Sequence, residues 1–139
     1  SNTALNTVKG TLSGMTGTVY FDLNDLNSSK FDICLNAASI DTGNKKRDEH
    51  LKTDDFFHIV KFPSICFATS QILESNATYV ALGDLMMHGV SKEVSIPFRL
   101  VDRELIGTLT INRQDYNVGG GSLLVGDEVR IDIKFSLSG

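Results

Sequence analysis

The chain has 139 residues, of which 41% are hydrophobic and 22% are charged, and its formal net charge is −4. This length predicts a single domain, residues 1–139, with one hydrophobic core, and the composition excludes a disordered or collagen-like chain. Because no excess of basic residues is available to neutralise phosphates, we do not expect nucleic-acid binding. We also expect no membrane-spanning helix and no signal peptide in this chain, since neither an apolar run of ~20 residues nor a basic segment followed by an apolar one occurs.

Alternation of apolar and polar residues is the strongest signal, and it is typical of half-buried β-strands. In chain order it predicts strands around residues 18–22, 31–38, 64–69, 78–88, 93–100, 104–111 and 128–137. Residues 78–88 divide into two alternating sets, and both contain apolar side chains. Asp84 and His88 belong to one of these sets, which we therefore expect to face solvent. We therefore place the other set, which includes Tyr79, Ala81 and Met87, toward the interior.

One segment, residues 45–57, departs from the strand pattern. Its spacing of Arg47 and Leu51 predicts a short amphipathic helix, entered through residues 42–44. Seven alternating strands with one helical crossover and no βαβ rhythm predict an all-β antiparallel sandwich or barrel.

The densest group of ionisable residues lies in this predicted helix. Asp48 and His50, with Arg47 beside them, would suit the acid–base chemistry of a small hydrolase or lyase. No nucleophile elbow or phosphate-binding loop accompanies them, and such a run is more typical of a solvated helix face. We prefer a structural lid in which Arg47, Asp48 and His50 hold the crossover while Leu51 and Phe56 plug one barrel end.

Cysteines and histidines predict no metal site. Cys34 and Cys66 have no metal-ligand spacing and lie far apart in the chain, so two free thiols are favoured over a disulfide. His50, His58 and His88 are interpreted as surface residues rather than zinc ligands.

The interior is the remaining question, because the inward-facing positions are apolar throughout. Small residues among them, at Ala37, Ala81, Gly83 and Gly107, fit either dense packing or room for an apolar guest. The predicted lumen residues are Val19, Phe21, Phe31, Ile33, Leu35, Ile65, Phe67, Tyr79, Ala81, Leu85, Met87, Ile96, Phe98, Leu109, Ile131, Ile133 and Phe135.

An ordered series of short motifs resembles the YceI-like family. The motifs are Asn6 to Gly10, Gly17 to Asp22, Ala38 to Asn44, Lys46 to Leu51, Asp55 to Phe57, Phe62-Pro63, Gly83 to Leu85, His88 to Lys92, Asn112 to Tyr116 and Val125 to Val129. The resemblance implies a lipocalin-like antiparallel barrel of about eight strands, with a short helix after the second or third strand.

The same resemblance implies a function in binding. Proteins that this chain resembles look like binders of isoprenoid lipids, which lie in an apolar tunnel through the barrel, and many of them are periplasmic or secreted bacterial proteins. We therefore expect non-catalytic carriage of an apolar guest such as a polyisoprenoid or quinone, with no catalytic residues and no other cofactor.

Family members usually begin with another strand, which is expected to be short or missing here. An open seam would then remain in the barrel, through which a homodimer could form. The alternatives to a lipid carrier are a side-chain-filled barrel that acts as an interaction module and, third, an enzyme that uses Asp48 and His50.

Overall fold

The fold is a β-barrel, and the structure, a computed structural model, describes residues 8–119 and 127–137. Within these residues one helix, α1 (Lys45–Leu51), follows the second strand, and a 3-10 helix (Arg113–Tyr116) follows the sixth. The strands are β1 (Val8–Tyr20), β2 (Lys30–Asp41), β3 (Ser64–Ser75), β4 (Thr78–Met87), β5 (Val90–Val101), β6 (Glu104–Asn112) and β7 (Glu128–Ser136). The predicted all-β barrel with one helical crossover is confirmed, with seven strands in the described residues against about eight expected.

The strands follow each other around the barrel in chain order, and β1 returns to β7. Each consecutive pair is antiparallel, but β1 and β7 are parallel and pair only at Val8–Gly10 with Val129–Ile131. An odd number of strands that alternate in direction leaves the first and last pointing the same way, which accounts for the parallel closure. The expected seam is therefore closed at one end of this strand pair.

Alternation along the strands sets the interior, as predicted. In β4, Tyr79, Ala81, Leu85 and Met87 are buried while Asp84 is exposed, so the inward set was chosen correctly. The β4–β5 hairpin turns at His88 and Gly89, which both have positive φ angles. Such a two-residue turn matches the right-handed twist of the flanking strands.

The helix begins as the sequence predicts but ends earlier. The Asn44 side chain caps it by accepting a hydrogen bond from the amide of Arg47 at 3.0 Å. The helix ends at Leu51, and turns occupy residues 52–57 where the prediction extended it.

The interpretation of the two cysteines as free thiols is wrong. Cys34 and Cys66 form a disulfide, because the β2–β3 register places them directly opposite each other. The three histidines are all partly exposed, and His88 lies at the predicted turn, where its Nδ1 donates to the carbonyl of Tyr116 at 3.0 Å and its ring contacts that of Phe62. The expectation of a short or missing opening strand concerns residues 1–7, which lie outside the described residues.

Candidate functional site

A cavity of about 330 Å³ occupies the middle of the barrel. Apolar side chains from all seven strands form most of its wall. Of the predicted lumen residues, those in the wall are Val19, Phe31, Ile33, Leu35, Ile65, Phe67, Ala81, Leu85, Ile96, Phe98, Leu109, Ile131, Ile133 and Phe135. Alternation therefore brought together most of the residues that line this cavity.

Four aromatic rings fill the end of the barrel where β1 ends and β2 begins. Phe21 contacts Tyr79 and Phe98 edge to face, with centroids 5.1 and 5.5 Å apart. Tyr79 stacks on Phe98 at 5.4 Å, and Phe31 lies against Phe98 at the same distance. Phe21 and Tyr79 were predicted to face the lumen, but they belong to this aromatic plug and not to the cavity wall.

The opposite end is filled by the segment that contains α1. Leu51 and Phe56 are 4% and 1% exposed and lie beside Met87, Ile111 and Val118. Only about 30 Å³ of free space remains between them, close to the room needed for a single water molecule. Met87, another predicted lumen residue, lies in this plug.

Polar contacts attach α1 to the end of β2. The Asp48 carboxylate accepts hydrogen bonds from the amide of Thr42 at 3.1 and 3.2 Å and from its hydroxyl. Arg47 donates to the hydroxyl and carbonyl oxygens of Thr42, each at 2.8 Å. His50 instead lies 3.0 Å from Asp55, and its ring meets the Phe56 ring edge to face.

These contacts bear on two interpretations of the helix, the solvated face and the acid–base pair. Asp48 is buried, so it is not part of a solvated helix face. Asp48 and His50 have different partners, Thr42 and Asp55, so the acid–base pair that was considered as an alternative to the lid is not assembled. The arrangement fits the predicted structural lid.

Arg113 is a buried residue that the sequence analysis did not single out. It is 1% exposed; its Nη1 donates to the carbonyl of Val118 at 2.7 Å and its Nη2 lies 3.1 Å from Asp127. Gly119 packs so closely against Arg113 that a Cβ at this position would lie 2.6 Å from the guanidinium and 2.5 Å from the Phe56 ring. Arg113 therefore anchors the chain that covers this end of the barrel.

The small inward residues do not all leave space for a guest. A Cβ on Gly83 would lie 2.3 Å from the Ala68 carbonyl of β3, and one on Gly107 would lie 2.8 Å from the Pro97 carbonyl of β5. Both glycines allow close approach of neighbouring strands. Gly107 nevertheless lies in the cavity wall together with Ala81, which is 1% exposed, whereas Gly83 does not.

One missed part of the wall lies where β1 and β7 separate. On β1 this part consists of Leu12, Ser13, Gly14 and Met15, and on β7 it includes Asp132 and Lys134. The β1 residues were missed because the predicted strand covered only residues 18–22, whereas β1 begins at Val8. Asp132 and Lys134 were missed because they have outward parity. Leu105 and Gly107, which do have inward parity, and Cys66 complete the wall.

Other kinds of site find no support in the part of the chain that the structure describes. There, no three His, Cys, Asp or Glu side chains group as a metal site would require. None of the helices in these residues is long and apolar enough to span a membrane.

Sequence comparisons relate the chain to bacterial proteins. Residues 1–137 match the YceI-like domain. The chain is 32% identical over 98 residues to a UPF0312 protein of Photorhabdus laumondii, covering 70% of this chain and 48% of that protein. It is 30% identical over 92 residues to protein YceI of Escherichia coli, covering 66% and 48%. The chain thus spans about half the length of the curated relatives it matches.

Solved structures share the fold. The YceI protein of Campylobacter jejuni superposes with a TM-score of 0.80 at 25% identity, covering 94% of this chain and 84% of that one. A polyisoprenoid-binding domain of Saccharophagus degradans, implicated in plant cell wall breakdown, gives a TM-score of 0.50 at 17% identity, covering 66% and 61%. The match over residues 1–137 and the shared fold show that the chain belongs to the YceI-like family.

Proposed function

We propose that this domain binds an apolar, isoprenoid-type lipid in its lumen and carries it without chemical change. The observation that carries the proposal is the cavity of about 330 Å³ with an apolar wall. Ligand sites in proteins are typically apolar concavities of about 300–1,000 Å³. The Saccharophagus degradans domain, which has a related fold, suggests the class of guest.

Burial of the guest supplies the binding energy. Each methylene transferred from water contributes roughly 0.8 kcal/mol, and the lumen wall offers few directional contacts. The cavity is about twice the 150 Å³ of an engineered cavity that binds benzene, so it holds on the order of twelve carbons. We infer that it takes two or three isoprene units of a prenyl alcohol or prenylated quinone.

The disulfide supports a location in an oxidising compartment. Disulfides persist in the bacterial periplasm and in secreted proteins and are rare in the cytosol. The Cys34–Cys66 bond is therefore in keeping with a periplasmic or secreted lipid carrier. The curated relatives come from bacteria, which have such a compartment.

Organic extraction of the purified protein, followed by mass spectrometry, tests this function. The proposal predicts an isoprenoid lipid near one molecule per protein, or saturable uptake of farnesol by protein that has been stripped of lipid. A barrel that carries no lipid and takes up none, while folded, would contradict the proposal and favour a filled interaction module.

A further inference from the structure

Both barrel ends are filled by side chains, so the lumen needs another route to solvent. Phe21 and Tyr79 belong to the aromatic plug at one end, and Leu51 and Phe56 fill the other. A guest that entered through an end would have to displace one of these sets of packed side chains. A route that leaves both plugs in place requires less rearrangement, because dense protein interiors resist such displacement.

The β1–β7 pair provides an opening in the side wall. Its parallel ladder ends at Gly10 and Ile131, although both strands continue. Beyond this point β1 pairs irregularly with β2, where register shifts flank Ser13. The Ser39 hydroxyl accepts from the amide of Ser13 at 2.7 Å, and its single proton is shared between the carbonyls of Asn36 and Ser13. These bonds hold β1 toward β2 and leave a gap on the β7 side.

Gly14 allows this path of β1. Its φ of +72° is one that other residues rarely adopt, and a Cβ there would lie 2.9 Å from the Asn36 Cβ of β2. Glycine therefore permits both the bulge and the close approach to β2. The separation of β1 from β7 is built into the backbone of the described residues.

The cavity extends to the outer surface at this gap. Its wall there includes Ser13 and Met15 of β1 and the outward-facing Asp132 and Lys134 of β7, all of them exposed. On the β5–β6 side, in contrast, the wall residues have inward parity, such as Ile96 and Leu109. The seam is thus where cavity and solvent meet.

We propose that the gap between residues 12–15 of β1 and 132–135 of β7 is the lateral portal through which the guest enters and leaves, with its polar head or surplus chain remaining at the rim. This inference rests on the proposed lipid binding and specifies its route. The rim suits a head group with hydrogen-bonding oxygens. Lys134 lies 3.6 Å from Glu104, and Asp132 accepts from the Thr108 hydroxyl at 3.3 Å, so charged and polar groups flank the apolar Met15.

Closing the portal covalently tests the route. The variant M15C/K134C is joined by a flexible bis-maleimide, and the native cysteines do not react because they form a disulfide. The matched control, D84C/E93C, joins directly paired residues of β4 and β5 with the same reagent. Stopped-flow fluorescence with dansyl-labelled farnesol measures association and dissociation rates before and after linking, and intact mass confirms the link.

The portal predicts that linking Met15→Cys to Lys134→Cys slows both rates about tenfold or more, as expected when binding must wait for a rare opening, while the control is unaffected. Rates unchanged by the link would overturn the portal and point to a barrel end. If the probe fails to bind the unlinked parent protein, the proposed lipid binding fails and the portal with it.

A pair of substitutions tests the route without a cross-link. Met15→Trp narrows the rim, whereas Met86→Trp alters an exposed methionine of β4 that lies outside the cavity wall. We expect slower exchange of the probe for the Met15 variant alone. Equal rates in the two variants would contradict the portal.

Discussion

Asp48 of α1 accepts hydrogen bonds from both the amide and the hydroxyl of Thr42, the residue that follows β2. One buried carboxylate thus connects the helix to the strand before it. The hydroxyl and carbonyl oxygens of the same Thr42 accept hydrogen bonds from the guanidinium of Arg47. The position of the helix over the barrel end therefore depends on a small set of charged hydrogen bonds.

Asp48→Ala is expected to lower the free energy of unfolding by roughly 1–3 kcal/mol, because it removes hydrogen bonds to a carboxylate and leaves the half-buried amide of Thr42 without its partner. Chemical denaturation measures the change. Glu49→Ala, at an exposed position of the same helix, is the control and should stay within about 0.5 kcal/mol of the parent. Equal effects of the two substitutions would refute the anchoring role.

The Cys34–Cys66 disulfide joins β2 and β3 across a sequence separation of 32 residues. Replacing both cysteines by alanine should cost about 3–4 kcal/mol, chiefly because the unfolded chain regains conformational freedom. Adding a reductant should lower the melting temperature of the parent and leave the double variant unchanged. Two reactive thiols in unreduced, unfolded protein would disprove the bond.

Ala81 and Ala37 are both buried, but only Ala81 lies in the cavity wall. The larger side chain of Ala81→Leu should therefore fill space that the guest occupies and reduce the amount of bound lipid. The melting temperature should be unchanged or higher. Ala37→Leu adds the same atoms to packed protein and should cost roughly 1–3 kcal/mol. Melting curves paired with extracted lipid per protein measure both effects. Clear destabilisation by Ala81→Leu would contradict an open lumen.

Tyr116 is 1% exposed, and no described residue makes a hydrogen bond to its hydroxyl. Burial, and secondarily the charge of Asp115, raise the pKa of its phenol above the ordinary value of 10.0. The unfolded phenol thus ionises first, so this contribution to stability is complete below pH 10 and is lost as pH rises through the folded pKa.

Tyr116→Phe should therefore reduce the loss of stability above pH 10 and leave stability at neutral pH unchanged or up to about 1 kcal/mol higher. Urea unfolding at neutral and alkaline pH measures both effects. Tyr20→Phe, at a tyrosine that is 47% exposed, is the control. The same alkaline profile for Tyr116→Phe and the parent would show that the buried phenol contributes nothing.

Alternation predicted the barrel and most of the cavity wall because the pleat of a strand imposes a period of two on the residues themselves. The interior positions of Ala81 and Phe98 follow from local sequence. The cap at Asn44 is equally local, since its side chain bonds an amide three residues later.

What the sequence did not reveal depends on pairing between distant residues. The disulfide requires the register that sets Cys34 opposite Cys66, and two strand patterns alone do not determine it. Gly83 was open to two interpretations until the approach of the Ala68 carbonyl was known. The separation of Met15 from β7 likewise follows from irregular β1–β2 pairing, which alternation does not encode.

The most direct measurement of the central claim is the position of a bound guest inside the protein. Alanine methyl groups are isotope-labelled, farnesol is added, and intermolecular nuclear Overhauser effects are recorded. A guest in the lumen should give contacts to the methyl of Ala81, which lines the cavity, and none to that of Ala37, which does not. Saturable farnesol binding without any contact to Ala81 would place the guest elsewhere and contradict the account.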